Sequence, residues 1–293
     1  MDFMKYKLLY FIFSLVIILP GIYFLTTSGL RLGIDFTGGA LLEYRFEKSP
    51  NSEELKKEIS KTVEVRQITI SGDDTYLIRT KPIEQENLNE LKKNLSEKFG
   101  FFEEKRTENV GPVIGREITN KALLALCIAS LAIVLYISIS FRKVPKPASS
   151  LRFGICAIVA LLHDILLVIG IFAVLGKFLA VEVDALFVTA LLTVIGFSVH
   201  DTIVVFDRIR ENLLKNINKQ FSEVANISIV QTLGRSLNTS LTVIFVLLAL
   251  LLFGGETLKW FVVALLVGIV SGTYSSIFNA TALLVWWEEK LGH

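Results

Sequence analysis

The sequence predicts a membrane protein: an all-α bundle of six transmembrane helices with an α+β domain inserted outside the cytoplasm. Three observations predict it. Hydrophobic residues make up 52% of the 293 residues and charged residues only 20%, and mean hydropathy is +0.58, too apolar a balance for a soluble domain of this length. Six segments are uncharged or nearly so over the roughly 20 residues that a ~30 Å hydrocarbon core requires. Between the first and second lies a polar stretch, residues 28–120, with 17 acidic and 15 basic residues.

The first span, Leu8 to Leu25, carries no charge. Lys5 and Lys7 precede it as they would a signal peptide, but it exceeds a signal core of about 7–15 residues and no small-x-small cleavage pattern follows. An uncleaved anchor is expected. Ala122 to Phe141, Leu237 to Gly255 and Trp260 to Trp287 are also uncharged. Phe153 to Gly176 is broken only by His163-Asp164, and Ala185 to Phe206 only by His200-Asp201. The predicted divisions are therefore 1–27 for the tip and first span, 28–120 for the inserted domain, and 121–293 for five further spans.

Lys and Arg collect on the cytoplasmic side of a membrane protein. Lys5, Lys7, Arg142, Lys143, Lys146, Arg152, Arg208, Arg210, Lys215, Lys219, Arg235 and Lys290 fall on one side of the six spans. Only Lys177 and Lys259 occupy the short loops on the other. Both termini are thus expected in the cytoplasm and residues 28–120 outside it, in a multi-pass protein of the cytoplasmic (inner) membrane with lipid around it. The net charge of +2 and the lack of a long basic block argue against nucleic acid as a partner. Cys127 and Cys156 lie in apolar runs and read as small hydrophobes.

The inserted segment reads strand, helix, strand, strand, helix, strand. Ala40, Leu42, Tyr44 and Phe46 alternate with Leu41, Glu43 and Arg45, the period of a half-buried strand. Asn51 with Glu54 three residues on is a capping-box pattern before a helix that carries Leu55 and Ile59. Val63 to Ile70 and Thr75 to Thr80 are β-rich and joined by Ser71-Gly72-Asp73-Asp74, a hairpin signal. Leu88, Leu91, Leu95 and Phe99 recur at helical spacing after Pro82, with Gly100 as C-cap. Phe101 to Asn109 completes the series, although its alternation sets charge against charge. The order βαββαβ is the ferredoxin-like split motif, a fold that hosts many unrelated activities.

Ionisable groups inside spans are costly and mark either an ion path or a buried pair. His163 and Asp164 lie well inside the third span. Asp201 lies about two turns from the end of the fourth marked by Arg208, and Asp207 lies at that end. Arg235, Asn238, Thr239 and Thr242 fall on one stripe of the fifth. Two readings stand side by side. In one, Asp201 is neutralised by Arg235 and the histidines only hydrogen-bond within the bundle. In the other, Asp201, Arg235, Asp164 and His163 form a proton relay in which a changing charge favours one helix arrangement over another. Asp207, next to Arg208 and Arg210, reads as an interfacial ion pair.

Gly268, Gly272 and Ser276 recur every four residues on the sixth span, as do Ser271, Ser275 and Asn279, giving two small-residue seams for close helix packing. They serve either packing within the bundle or an interface with another chain. Enzyme motifs are missing: there is no HExxH, GxGD, GxSxG or Walker A loop. The two His-Asp dipeptides bring no further ligand set, so no metal or other cofactor is expected.

Several elements together resemble the SecD/SecF family of protein-export membrane proteins, in its SecF branch. Gly33-Ile34-Asp35-Phe36-Thr37-Gly38-Gly39 looks like its GxDFTGG element, and Val110-Gly111-Pro112-Val113-Ile114-Gly115 resembles the segment leading into the second span. His163-Asp164 matches the His-Asp pair of the third. The run from His200-Asp201 through Asp207-Arg208 to Asn212 looks like the most specific signature. Gln231 through Ser240, with Asn238, is similar to the run carrying the family's arginine, here Arg235. The resemblance implies half of a resistance-nodulation-division transporter that pairs with SecD, works beside the SecYEG channel and helps unfolded client proteins across the membrane. It further implies that Asp201 and Arg235 support use of the proton gradient, with protons as the coupling ion and no enzymatic activity. SecD is expected as a separate subunit. A proton-driven efflux or lipid transporter of the same superfamily, and a non-transporting translocon scaffold, are the competing classes.

The basic asymmetry has a direct test. In a background lacking Cys127 and Cys156, a cysteine at Asp73 is expected to react with an impermeant thiol reagent in intact cells, and one at Asn216 to be protected. The reverse labelling pattern would overturn the orientation.

Overall fold

The structure, a computed structural model, describes residues 3–71, 74–142, 144 and 148–291. Gly72, Asp73, Lys143 and Lys146 of the sequence reading lie outside the described residues. In chain order the helices are α1 (Lys7–Thr27), α2 (Ile34–Thr37), α3 (Ser52–Ile59), α4 (Gln85–Phe99), α5 (Pro112–Ser140), α6 (Ser150–Leu179), α7 (Ala185–Lys215), α8 (Phe221–Phe253), α9 (Glu256–Tyr274) and α10 (Ala280–Leu291). The strands are β1 (Gly39–Phe46), β2 (Val65–Ser71), β3 (Thr75–Thr80) and β4 (Phe102–Val110). Two compact units result: a helical one, running to Arg31 and resuming at Leu124, and an α/β one, Leu32–Leu123.

In the α/β unit the strands order as β2-β3-β1-β4, antiparallel at every pairing. The period-two pattern decides which face is covered. Ala40, Leu42, Tyr44 and Phe46 of β1 join Tyr76 and Ile78 of β3 in one core with Leu55 and Ile59 of α3 and Leu88, Leu91 and Leu95 of α4. Each Leu or Ile fully buried there contributes roughly 1.5–3 kcal/mol. Asn51 caps α3 by accepting from Glu53 N at 2.8 Å, one residue earlier than a capping box would place the bond. Lys61 and Lys98 both donate to Glu58, linking α3 to α4, and these hydrogen bonds hold its carboxyl below the usual range. The alternation of β4 is broken for a structural reason. Its register on β1 shifts between Glu43 and Tyr44, so that Arg106 and Glu104 become consecutive partners and Lys105 is left over, a β-bulge.

The glycine elements sit where the sheet meets the start of α5. Gly38 and Gly39 have φ of 69° and 144°, conformations that L side chains rarely adopt. A Cβ on Gly39 would lie 2.7 Å from Thr80 O, and one on Gly115 would lie 3.0 Å from Phe36 O. Arg66 donates to Gly38 O at 3.1 Å and to Thr37 Oγ1 at 3.2 Å.

Six helical stretches are long and apolar enough to cross a membrane: Met4–Thr27, Pro112–Ser140, Ser150–Leu179, Ala185–Lys215, Phe221–Phe253 and Thr257–Lys290. Several outrun their apolar windows because polar pairs carry the helices onward. Beyond Phe206, Arg208 Nε donates to Gln231 Oε1 at 2.6 Å, and Asn212 Nδ2 donates to Ser228 Oγ at 2.9 Å, joining α7 to α8. Phe141, Phe153 and Phe206 form an aromatic cluster with centroids 5.2–5.8 Å apart. The last span is not a uniform helix: Ser275–Asn279 is a π-helical turn between α9 and α10.

Small residues set how closely the helices approach. A Cβ on Gly21 of α1 would fall 2.7 Å from Gly170 Cα on α6, and one on Gly170 would fall 2.9 Å from Gly21 Cα. The two backbones therefore touch, which is what small residues permit between membrane helices. On α9, a Cβ on Gly268 would run into the Val194 side chain and one on Gly272 would meet Ser198 Cβ at 3.0 Å. This seam packs against α7 of the same chain.

Gly170→Val should force α1 from α6 and cost about 1–3 kcal/mol as overpacking does. The expected readout is lower membrane abundance and a lower thermal midpoint in detergent. Gly196→Ala, at a site with open space around it, should match the wild type. Equal behaviour of the two variants would refute the close crossing.

Candidate functional site: a hydrogen-bonded carboxylate in the helical unit

Asp164 of α6 is fully buried. A carboxylate taken out of water is tolerated only when its oxygens find donors, and here three hydroxyls supply them. Ser198 Oγ of α7 and Ser275 Oγ of the π turn donate to Oδ2 at 2.5 and 2.7 Å, and Ser271 Oγ of α9 donates to Oδ1 at 3.0 Å. His163 Nδ1 lies 3.0 Å from the same Oδ1. Ser271 and Ser275 share a helix face by their spacing of four, so one seam of the sixth span becomes one wall of the cage.

The network continues through the π turn. Ser276 Oγ donates to Ser198 O at 2.9 Å and pairs with Thr202 Oγ1 at 2.8 Å. Asn279 Nδ2 donates to Ser14 Oγ of α1 at 2.6 Å and lies 3.2 Å from His163 Nε2. A π turn is wider than an α turn and often marks a functional site. Here its five residues place Ser275, Ser276 and Asn279 against α6, α7 and α1 together.

Asp201 is handled differently. It is 2% exposed and its Oδ2 makes no hydrogen bond. The buried Ser236 of α8 lies beside it, but the Ser236 hydroxyl closes no hydrogen bond of ordinary geometry. The expected ion pair with Arg235 is not formed among the described residues: no Asp201–Arg235 contact falls within 4.0 Å, and Arg235, Asn238 and Thr239 are all exposed on α8. The polar stripe of the fifth span thus turns out of this unit, and His200 is exposed too.

The remaining predicted residues have structural partners. Asp207 pairs with Arg210 at 2.6 Å, and Arg208 with Glu211 at 2.5 Å. Asp35 occupies the first turn of α2, and Gly111 and Pro112 lead from β4 into α5. Three members of the network escaped sequence reasoning. Ser14, Ser198 and Thr202 are single hydroxyls in apolar runs, where such a group usually bonds its own helix. Only Asp164, buried on a facing span, hints that a donor is needed nearby.

Residues 90–290 match the model of the protein export membrane protein SecD/SecF, C-terminal, and residues 23–50 match the SecD/SecF GG motif. The chain belongs to the SecD/SecF family. Its GG motif holds the positive-φ Gly38-Gly39 pair, and the C-terminal match takes in the whole Asp164 network except Ser14. A protein translocase subunit SecF of Thermobaculum terrenum is 51% identical over 99% of this chain and 94% of that relative. A SecF of Anaerolinea thermophila is 44% identical over 96% and 92%. The protein translocase subunit SecDF of Bacillus subtilis is 34% identical over 99% of this chain but 38% of its own length. The crystal structure of SecDF from Thermus thermophilus, described as a translocon-associated membrane protein, superposes with a TM-score of 0.85 at 33% identity, covering 99% of this chain and 39% of that one. The chain spans about two fifths of these SecDF proteins, so the family includes fusions with a further part.

Replacing Asp164 should cost more than removing any one donor. Asp164→Leu leaves three buried hydroxyls without their acceptor, at about 1–3 kcal/mol per unsatisfied group. Ser271→Ala, which removes the longest of the three bonds, should cost about 1 kcal/mol. Thermal unfolding in detergent is expected to rank Asp164→Leu well below Ser271→Ala, and the opposite ranking would refute the cage.

Proposed function

We propose that this chain is a SecF-type subunit of the protein translocase that couples the proton gradient to export across the cytoplasmic membrane, together with a separate SecD subunit and beside SecYEG. In this reading the α/β unit is a ferredoxin-like domain on the outer side, and both termini are cytoplasmic. The strand order β2-β3-β1-β4 within a βαββαβ series supports the first point. The asymmetry of Lys and Arg supports the second. The partner assignment draws on the SecDF fusions, in which the matching segment is joined to a further part of one chain.

The observation that carries the proton-coupled reading is the contrast between the two buried acids. Asp164 is surrounded by three hydroxyl donors from α7 and the sixth span, so its environment is complete. Asp201 keeps an oxygen with no hydrogen bond inside a span. A carboxyl in that position can exchange a proton without first dismantling a bonded cage, and its charge then biases how α7 packs. Arg235, one helix away and never neutral in this range, supplies a counter-charge when the helices move. A permanently neutralised pair would need the contact that the structure lacks. No catalytic step on a client is part of the proposal.

Asp201→Asn should assemble to near wild-type membrane abundance yet lose uncoupler-sensitive secretion by about tenfold or more, equivalent to ~1.4 kcal/mol on the limiting step. Asp201→Asn with Arg235→Met should keep abundance without regaining gradient-driven secretion. Secretion from either variant that keeps full sensitivity to an uncoupler would remove Asp201 from the mechanism and favour the scaffold reading.

A further inference from the structure

We propose that Asn279 is a positioning residue that holds the His163 imidazole in a single tautomer, with its hydrogen on Nδ1 directed at Asp164. The ring is clamped at both nitrogens: Nδ1 lies 3.0 Å from Asp164 Oδ1, and Nε2 lies 3.2 Å from Asn279 Nδ2. Asp164 Oδ1 already accepts from Ser271 and faces the ring as an acceptor, so a hydrogen belongs on Nδ1. Nε2 then has only a lone pair to offer, which requires a donor opposite it. The Asn279 amide nitrogen is that donor. Its second hydrogen goes to Ser14 Oγ at 2.6 Å, while Asn279 Oδ1 is buried with no hydrogen-bond partner. The Ser14 hydroxyl accepts from the amide, so α1 joins the clamp that is read out on α6.

The π turn is what makes this reach possible. Asn279 is its last residue and Ser275, a donor to Asp164, its first. One widened turn therefore holds both the carboxylate and the histidine beside it. A reversed amide would place Oδ1 against Nε2 and demand a second hydrogen on the ring, giving a charged imidazole. An orienting partner of this kind fixes a neighbouring histidine's tautomer in many sites. The functional consequence rests on the proton-coupled reading above: a His163 with its hydrogen on the wrong nitrogen sets two lone pairs face to face and pushes Asp164 from the seam that packs α9 on α7.

The test is nitrogen NMR of the full chain in bilayers with labelled histidine. The chain has three histidines, and His163→Gln assigns the signal. The wild type is expected to show neutral His163 with Nδ1 protonated and Nε2 bare. In Asn279→Leu the single tautomer should give way to a mixture, and in Asn279→Asp, whose carboxylate only accepts, Nε2 should gain a hydrogen while Nδ1 keeps its own. The Asp variant keeps the size of the side chain and carries the comparison if the Leu variant fails to accumulate. A wild-type ring protonated on Nε2, or an Nε2 still bare in Asn279→Asp, would overturn the proposal. With the single neutral tautomer lost, uncoupler-sensitive secretion should fall about tenfold at constant membrane abundance. Secretion that stays at the wild-type level would remove the positioning role. The spectrum does not depend on secretion, so loss of the tautomer lock and loss of the proton-coupled reading are separable results.

Discussion

A carboxylate with no access to water governs the middle of the helical unit. Burying Asp164 unaided would cost several kcal/mol, so the surrounding helices are arranged to bring it donors. Ser198, Ser271 and Ser275 must converge within hydrogen-bonding distance, and this convergence fixes the rotation of α7 and the sixth span about α6. Much else follows from that rotation. Gly268 and Gly272 must face Val194 and Ser198, Ser276 must meet Thr202, and the backbone widens into a π turn where the demands of three neighbours coincide.

The inside-out logic also separates two acids that look alike in the sequence. His163-Asp164 and His200-Asp201 are the same dipeptide on adjacent spans. One is turned into a hydroxyl-lined cage. The other places its histidine on the surface and leaves a carboxylate oxygen bare. Which of two identical pairs is saturated depends on what the facing helix offers, and the Ser236 hydroxyl that α8 brings to Asp201 closes no hydrogen bond.

Much of the architecture was legible because the solvent imposes it. The six apolar runs follow from lipid thickness, and the strands β1 and β3 follow from alternation that survives in Ala40, Leu42, Tyr44 and Phe46. β4 was blurred because the bulge at Lys105 resets which residues face inward. The sites were only half legible. Asp164 and the Ser271, Ser275 and Asn279 seam could be found separately, but nothing in one chain says that the seam solvates the acid. The π turn has no local sequence signature. The pairing of Asp201 with Arg235 was inferred from the stripe on α8, yet helical spacing tells which residues share a face and not which way that face turns.

The uneven burial of the spans bears on how the chain enters a bilayer. α5 is among the two most apolar spans, and almost none of it is covered by the rest of the protein. α7, the least apolar, is half covered, and the last span more than half. A helix like α5 partitions into lipid on its own merits. Asp201 in α7 carries an insertion penalty, bounded above by the about +2.5–3.5 kcal/mol of a charged residue at the helix centre, and Asn279 in the last span adds a further polar group. These spans gain their favourable environment only once neighbours are present. Biogenesis should therefore be cooperative, with α6 and α7 retained together at the insertion site until the final helix arrives to close the serine cage.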